Sequence, residues 1–123
     1  MRGFGELEAV IMDRMWRRAE PATVRQVFEE LAQDRPIAYT TVMTVMDTLH
    51  RKGFLDRHMA GRAWMYRPSA TREEYTARLM RDALHEAGDP QTALAHFIHE
   101  MSEDESLALR AALRRRPRKG VRG

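Results

Sequence analysis

The sequence of 123 residues contains no cysteine, so disulfide bonds and thiolate metal sites are excluded. No apolar run approaches the roughly 18 residues needed to cross a bilayer, and no signal-peptide core follows Met1. There is no glycine-rich phosphate loop and no nucleophile elbow, which argues against the common nucleotide-binding and hydrolase classes. These absences predict a cytoplasmic protein that is not an enzyme, needs no cofactor and does not insert into a membrane.

The basic and acidic residues are nearly balanced, at 21 to 18, so their distribution is more informative than their sum. Positions 48–67 carry five basic residues and one acid, whereas positions 69–109 carry three basic residues and nine acids. Positions 110–123 carry seven basic residues and no acid. This division predicts a basic surface, an acidic helical half and a basic tail that have different surroundings.

Two amphipathic helices are predicted near the start of the chain. Apolar residues at helical spacing predict the first helix over positions 6–18, before the break at Glu20-Pro21. Thr23 and Gln26 have the spacing of a capping box, which predicts the start of the second helix. The predicted inward faces are Phe4, Leu7, Ile11 and Met15 in the first helix, and Val24, Val27, Phe28 and Leu31 in the second.

A third helix with two unlike faces is predicted from Tyr39 or Thr40 to Lys52, where Gly53 ends it. Its inward face is Val42, Val45, Met46 and Leu49, and its outward face is rich in threonine. Two short strands, 54–58 and 63–67, follow it around a turn at Gly61, and Ile37-Ala38 could add another strand. This order predicts a winged helix-turn-helix domain over residues 1–69, in a mostly α-helical chain with one small β-hairpin.

The predicted DNA contacts fall on the third helix and the hairpin. Threonines near the start of the helix can hydrogen-bond to base edges and touch thymine methyl groups. Lysine and arginine beyond them can contact phosphates, with Asp47 paired to Arg51 four residues later. The predicted contact residues are Thr40, Thr41, Met43, Thr44, Thr48, Arg51, Lys52, Arg62 and Arg67. Because no arginine or asparagine stands among the first four, modest discrimination per base is expected.

Residues 70–113 predict three short helices that form a dimerisation domain. Thr71 with Glu74, Asp89 with Pro90, and Ser102 with Glu105 give each helix a start signal. Helices this short cannot bury their apolar stripes alone, and a second copy of the chain is the simplest cover. The predicted dimer contacts are Tyr75, Leu79, Leu94, Phe97, Ile98, Met101, Leu107, Leu109 and Leu113. A basic tail, predicted to be flexible, follows at 114–123.

The histidines give little indication of a metal site. His96 and His99 lie one helical turn apart beside Glu100, a spacing from which a zinc site could be built. Solvent-facing histidines on an amphipathic helix are the commoner explanation of such a pair, so no metal site is predicted.

Taken together, these residues resemble the penicillinase repressor family, which includes the β-lactamase and methicillin-resistance repressors. The resemblance runs from Gly5 to Leu113. Its motifs are Glu6-Leu7-Glu8 with Ile11-Met12 and Trp16, Thr41-Val42-Met43-Thr44 with Leu49 and Lys52-Gly53-Phe54, and Gly61-Arg62 with Tyr66. It implies a homodimeric winged-helix repressor that binds the palindromic operators of β-lactamase and antibiotic-resistance genes through its N-terminal domain.

The resemblance also implies how repression ends. In the family, a membrane-bound β-lactam sensor with a zinc metalloprotease domain leads to cleavage of the repressor in its dimerisation part. The scissile pair, usually Asn-Phe, corresponds to His96-Phe97, where histidine departs from the family pattern. A copper-responsive branch carries C-terminal cysteines, so this cysteine-free chain is not expected to sense copper.

Three other hypotheses remain open from the residues themselves. A winged-helix repressor could be released by a small molecule bound between the two halves. An architectural protein could bind DNA without sequence preference through hairpin and tail charge. A protein-interaction adaptor could use the same fold without DNA, because fold alone does not fix function.

Overall fold

The computed structural model describes residues 3–116, which form six helices and one antiparallel β-hairpin. The elements are α1 (Glu6–Arg17), α2 (Val24–Ala32), α3 (Tyr39–Arg51), β1 (Leu55–Ala60), β2 (Ala63–Pro68), α4 (Arg72–His85), α5 (Pro90–His99) and α6 (Glu103–Arg115). The chain divides into two compact units between Leu79 and Met80, within α4. We call the part before this division the first unit and the part after it the second unit. The predicted fold class, mostly α-helical with a small hairpin, is confirmed.

The first two helices begin where side chains accept hydrogen bonds from otherwise unpaired backbone N–H groups. Thr23 Oγ1 accepts from the Gln26 N–H at 3.1 Å, and Gln26 Oε1 accepts from the Thr23 N–H at 2.9 Å. This is the capping box that the sequence predicts for α2. At α1 only half of such a box forms, because Gly5 has no side chain; the Glu8 carboxylate accepts from the Gly5 N–H at 2.9 Å.

The end of α3 is fixed by Gly53, whose φ of 87° lies in the left-handed region that favours glycine. The Gly53 N–H donates to the His50 carbonyl at 3.0 Å, and the Phe54 N–H donates to the Leu49 carbonyl at 2.9 Å. These two bonds form a Schellman motif, which satisfies the last carbonyls of the helix. The motif turns the chain from α3 directly into the hairpin.

The two strands pair from Leu55 with Pro68 to Ala60 with Ala63, which leaves Gly61 and Arg62 as a two-residue turn. Gly61 has a φ of 65°, whereas Arg62, like the other non-glycine residues described, does not have a positive φ. A positive φ at the first of the two turn residues alone is typical of a type II′ turn. The predicted strand at positions 37–38 is absent: these residues are not in a strand. Ala22 instead forms an isolated antiparallel bridge with Tyr66, using both backbone hydrogen bonds.

The core of the first unit lies between α1, α2, α3 and the hairpin, and each element contributes its apolar side. Its buried members are Ile11, Met12, Met15, Ala22, Val24, Val27, Leu31, Val42, Met46, Leu49, Leu55 and Tyr66. The helical members recur every three or four residues, as the sequence predicts. Burial of this set therefore orients α3, with one face held inward and the opposite face left outside.

An aromatic cluster joins the start of α4 to the first unit. The Tyr75 side chain is only 5% exposed, and its ring stacks on Phe4 with centroids 4.8 Å apart. It also meets Trp16 and Phe54, at 5.5 and 5.7 Å. Tyr75 therefore belongs to the core of the first unit, which corrects its prediction as a dimer contact. The same packing explains why the division between the units falls later than the predicted boundary after residue 69.

The second unit consists of the end of α4 with α5 and α6, whose starts are fixed by side-chain caps. The Asp89 carboxylate accepts from the Gln91 N–H at 3.1 Å, and Ser102 Oγ accepts from the Glu105 N–H at 3.1 Å. Neither helix contains a buried residue. Helix α6 continues to Arg115, so the first two residues of the predicted tail are helical, and positions 117–123 lie outside the described residues.

Candidate nucleic-acid interface

The outward face of α3 begins with exposed side chains. Thr40, Thr41, Met43 and Thr44 are all exposed, as the sequence predicts. Thr48, one turn further on, is half-buried, and its hydroxyl accepts a hydrogen bond from Arg51 Nη2 at 3.4 Å. The first turns of α3 therefore present hydroxyl and methyl groups to solvent, whereas the last turn presents charge.

Two of the four predicted phosphate contacts are held by carboxylates of the same chain. Arg51 Nε lies 3.1 Å from Asp47 Oδ2, the pair that the sequence predicts at spacing i, i+4. Lys52, the residue just after α3, has its Nζ 2.9 Å from Glu8 Oε2 of α1, a contact that the sequence does not predict. The pKa of Glu8 is lowered, first by the hydrogen bond from the Gly5 N–H and then by that from Lys52. These carboxylates reduce the net positive charge at this end of α3.

The two predicted phosphate contacts on the hairpin differ from Arg51 and Lys52 in their surroundings. Arg62 lies in the turn and Arg67 lies on β2, and both side chains are exposed. Within residues 3–116, neither forms an ion pair. Their charges are therefore available to an external anion, such as a DNA phosphate.

Arg57 was not among the predicted contacts, and the structure gives it a positioning role. Its Nη1 donates to Asp47 Oδ1 at 3.0 Å and to the Tyr66 hydroxyl at 3.1 Å. Its guanidinium also lies 4.2 Å from the centroid of the Trp64 ring. Arg57 therefore ties β1 and β2 to α3, and this tie sets where the hairpin stands beside the helix.

The Arg57 contacts also explain the acid at position 47. Hydrogen bonding from Arg57 is the first cause of the lowered pKa of Asp47, and the charge of Arg51 adds to it. The sequence carries one signal of this role, because Arg57 alternates with Leu55 and so points to the buried side of a strand. A cation at such a position predicts a partner, although it does not identify Asp47 as that partner.

The predicted dimer contacts other than Tyr75 lie on exposed or half-buried positions. Leu94, Phe97, Ile98, Leu107 and Leu113 are exposed, with Phe97 at 51% and Leu113 at 57%. Leu79, Met101 and Leu109 are half-buried. Within the second unit, an open apolar cavity of about 350 Å³ lies between α4 and α5. Phe97 lines it, and the adjoining His96 is exposed on the same helix.

No group of three histidine, aspartate or glutamate side chains in residues 3–116 is arranged to hold a metal ion. None of the helices described there combines the length and apolar character needed to traverse a membrane.

A buried three-helix unit, an exposed threonine face on its third helix and an arginine-tipped hairpin beside that face define a winged-helix DNA-binding protein. The chain matches the model of the penicillinase repressor family over residues 4–115, and it belongs to that family. It is a transcriptional repressor of this family with a winged-helix DNA-binding domain.

Individual relatives agree with this assignment. The chain is 47% identical to the transcriptional regulator BlaI of two Mycobacterium tuberculosis strains, CDC 1551 / Oshkosh and ATCC 25618 / H37Rv. In both cases the match spans 112 residues, 89% of this chain and 81% of the relative. The solution structure of the DNA-binding domain of the repressor BlaI aligns with a TM-score of 0.53 and 25% identity. It covers 59% of this chain and 88% of that domain.

Proposed function

We propose that the protein is a homodimeric repressor that binds palindromic operators of β-lactamase or other antibiotic-resistance genes, and that proteolysis in the second unit ends repression. The observation that carries the DNA-binding part is the exposed threonine face of α3 beside Arg62 at the hairpin turn, which forms no ion pair within residues 3–116. In this proposal Thr40, Thr41, Met43 and Thr44 approach base edges in the major groove. Arg62 and Arg67 contact the adjoining phosphates.

The two paired cations take a smaller part in this interface. Arg51 and Lys52 can reach phosphate only by weakening their contacts with Asp47 and Glu8. Part of the gain from each phosphate contact is therefore offset by the ion pair that is lost. Thr48 is half-buried at the edge of the face and bonded to Arg51, so its contribution acts through that arginine.

The dimer is supported by the apolar surface of the second unit. Leu94, Phe97, Ile98 and Leu107 are each at least 43% exposed in the single chain, although all four lie on helices. Apolar side chains at such density favour association, because burial against a second copy removes them from water. A two-fold dimer would place two copies of α3 on two half-sites of one operator.

Release by proteolysis is supported by the place of the His96-Phe97 bond. Both side chains are exposed, and the bond lies in α5, the middle helix of the proposed dimer surface. Cleavage there would separate α6 and the end of α5 from the rest of the chain. Each half-site would then bind without the effective concentration supplied by its partner, a loss of about 10²–10⁴ in affinity. The protease would act downstream of a membrane-bound β-lactam sensor.

Footprinting of the chain on the DNA upstream of its own gene tests the operator. We expect two protected half-sites about one or two helical turns apart. Replacing Thr44 with alanine should lower specific affinity by about 1 kcal/mol and leave non-specific affinity nearly unchanged. Thr76→Ala, at an exposed threonine on α4, is the matched control. Equal losses on specific and random duplexes would remove Thr44 from the base-reading set and favour architectural binding.

Induction is tested by incubating the repressor with extract from β-lactam-treated cells and mapping fragments by mass spectrometry. Cleavage in α5 should yield a fragment that ends at His96, and His96→Glu, which replaces the exposed side chain beside the bond and is compatible with a helix, should slow it. The fold of that variant is checked by its unfolding curve. An intact chain that nevertheless leaves DNA would refute proteolytic release and favour release by a small molecule.

A further inference from the structure

An open groove runs between the N-terminal part of α3 and the hairpin, within the first unit. Its volume is about 330 Å³. Met43 and Arg62, from the two elements proposed to contact DNA, both line it. Arg25, Tyr39 and Trp64 line it as well, and none of these three was predicted from the sequence to contact DNA. The groove thus connects the proposed base-reading face with the hairpin turn.

Arg25 is held in place at the helical side of this groove. It lies in the first turn of α2, and its guanidinium carbon is 4.7 Å from the centroid of the Tyr39 ring. Tyr39 in turn meets Phe28 edge-on, with ring centroids 5.7 Å apart. A guanidinium that stacks on a fixed ring keeps its N–H donors free at the edge, and it loses little entropy when it binds an anion.

The charge of the groove favours an anion. None of its lining residues is acidic. Within the part of the chain that the structure describes, no carboxylate pairs with Arg25 or Arg62. By contrast, Arg51, Lys52 and Arg57 each lie within 3.1 Å of a carboxylate oxygen. Two cations without a carboxylate partner in the described residues, Arg25 and Arg62, therefore lie on opposite sides of the groove.

The geometry of duplex DNA indicates which part of the DNA would lie in this groove. If α3 enters the major groove and the hairpin turn reaches the neighbouring groove, the sugar–phosphate backbone that separates the two grooves passes between α3 and the hairpin. We propose that the groove receives this backbone and that Arg25, positioned by Tyr39, binds a phosphate opposite Arg62. The exposed ring of Trp64 then packs on the sugars. This assignment rests on the proposed DNA binding and adds residues of α2 to it.

The first experiment measures binding of the full chain to a random-sequence duplex as a function of salt. Arg25→Ala should weaken binding about ten-fold at low salt and reduce the log–log salt slope by about 0.9, the value for one phosphate contact. Arg78→Ala is the matched control, since this exposed arginine lies beyond the opposite end of α3, beside Gly53 and Phe54. It should bind as the wild type does.

The outcomes separate the two proposals. Wild-type binding with an unchanged slope in Arg25→Ala would overturn the groove assignment and leave DNA binding standing. Failure of the wild type to bind any duplex would instead overturn the proposed function, and the groove assignment with it.

A second pair of variants tests the positioning role of Tyr39. Tyr39→Phe keeps the ring under Arg25 and should retain the wild-type salt slope, whereas Tyr39→Leu should reduce affinity about three-fold or more. Far-UV circular dichroism and the urea unfolding curve confirm that each variant is folded. Equal affinity in the Phe and Leu variants would overturn the positioning role, whether both bind as the wild type does or both are weakened.

Discussion

The helices of both units have an amphipathic pattern, but the two units differ in whether the apolar faces of these helices are buried. In the first unit the apolar stripes of α1, α2 and α3 meet one another and the hairpin, and their central side chains are buried. In the second unit the stripes of α5 and α6 leave no side chain buried, although both helices are well capped. Capping and periodicity therefore define helices in both units, but only the first unit closes a core by itself.

This difference implies that the two units are stabilised in different ways. Isolated helices shorter than about 12–15 residues are marginal in water, and most of their stability in proteins comes from burying an apolar face. Helix α5 has only 10 residues. We therefore expect the first unit to be stable at any concentration and the second unit to depend on association with another copy.

The largest expected effect comes from a charge in the exposed apolar surface. Phe97→Asp should abolish the dimer and reduce operator affinity by about 10²–10⁴. Analytical ultracentrifugation and operator binding measure the two losses. Gln91→Asp, on the same helix, is the control and should remain dimeric. A Phe97→Asp protein that stays dimeric would show that this surface is not the interface.

The next largest effect is expected from a substitution that leaves a cavity in the core of the first unit. Met46→Ala should destabilise the first unit by about 2–5 kcal/mol, because Met46 is fully buried on α3. Urea unfolding followed by the fluorescence of Trp16 and Trp64, which both lie in the first unit, measures this, and the loss should not change with protein concentration. Met43→Ala, on the exposed side of the same helix, should cost far less. A loss that disappears at high concentration would mean that the first unit also depends on association.

A smaller effect on stability is expected from replacing a glycine with alanine, and it should differ between the two units. Gly53→Ala should cost about 1–2 kcal/mol through left-handed backbone strain alone, since nothing lies within 4 Å of the added Cβ. Gly88, in the second unit, is equally open but has no positive φ of this kind. Gly88→Ala should therefore be nearly neutral when unfolding of both variants is followed by far-UV circular dichroism, which reports the helices of both units. Equal costs at the two positions would refute the role given to the Gly53 conformation.

The smallest expected effect is on pH dependence. The pKa of Asp47 is lowered in the folded chain, so its ionised form stabilises the fold above the unfolded pKa of about 3.9. That contribution is lost as the pH falls through the folded value, when Arg57 loses its charged partner. Asp47→Asn should therefore flatten the acid side of the stability curve, as measured by urea midpoints from neutral pH to about pH 3. A curve as steep as that of the wild type would contradict this.

Local pattern predicts a large part of this molecule. The two faces of α3 follow from the spacing of Val42, Met46 and Leu49, and Gly53 ends the helix through backbone geometry that depends only on nearby residues. The same holds for the caps at Thr23 and Ser102, because each partner lies three residues away. These features need no knowledge of tertiary contacts.

Contacts between distant elements are not predictable in this way. Tyr75 lies on a helical stripe with Leu79, and periodicity does not reveal that Phe4 and Phe54 cover it. The stacking of Arg25 on Tyr39 joins residues of two helices, so spacing along one helix gives no signal of it. The two faces of α3 could thus be predicted from the sequence, whereas the side chains that support this helix could be identified only from the fold.

Amide hydrogen exchange of the full chain tests the central claim most directly, with operator DNA and chain concentration varied separately. DNA should slow exchange in α3 and the 55–68 hairpin, and dilution should speed exchange in α5 and α6 while α1 and α2 stay protected. Protection of α3 and the hairpin that is unaffected by DNA, or protection of α5 and α6 that persists on dilution to a monomer, would contradict it.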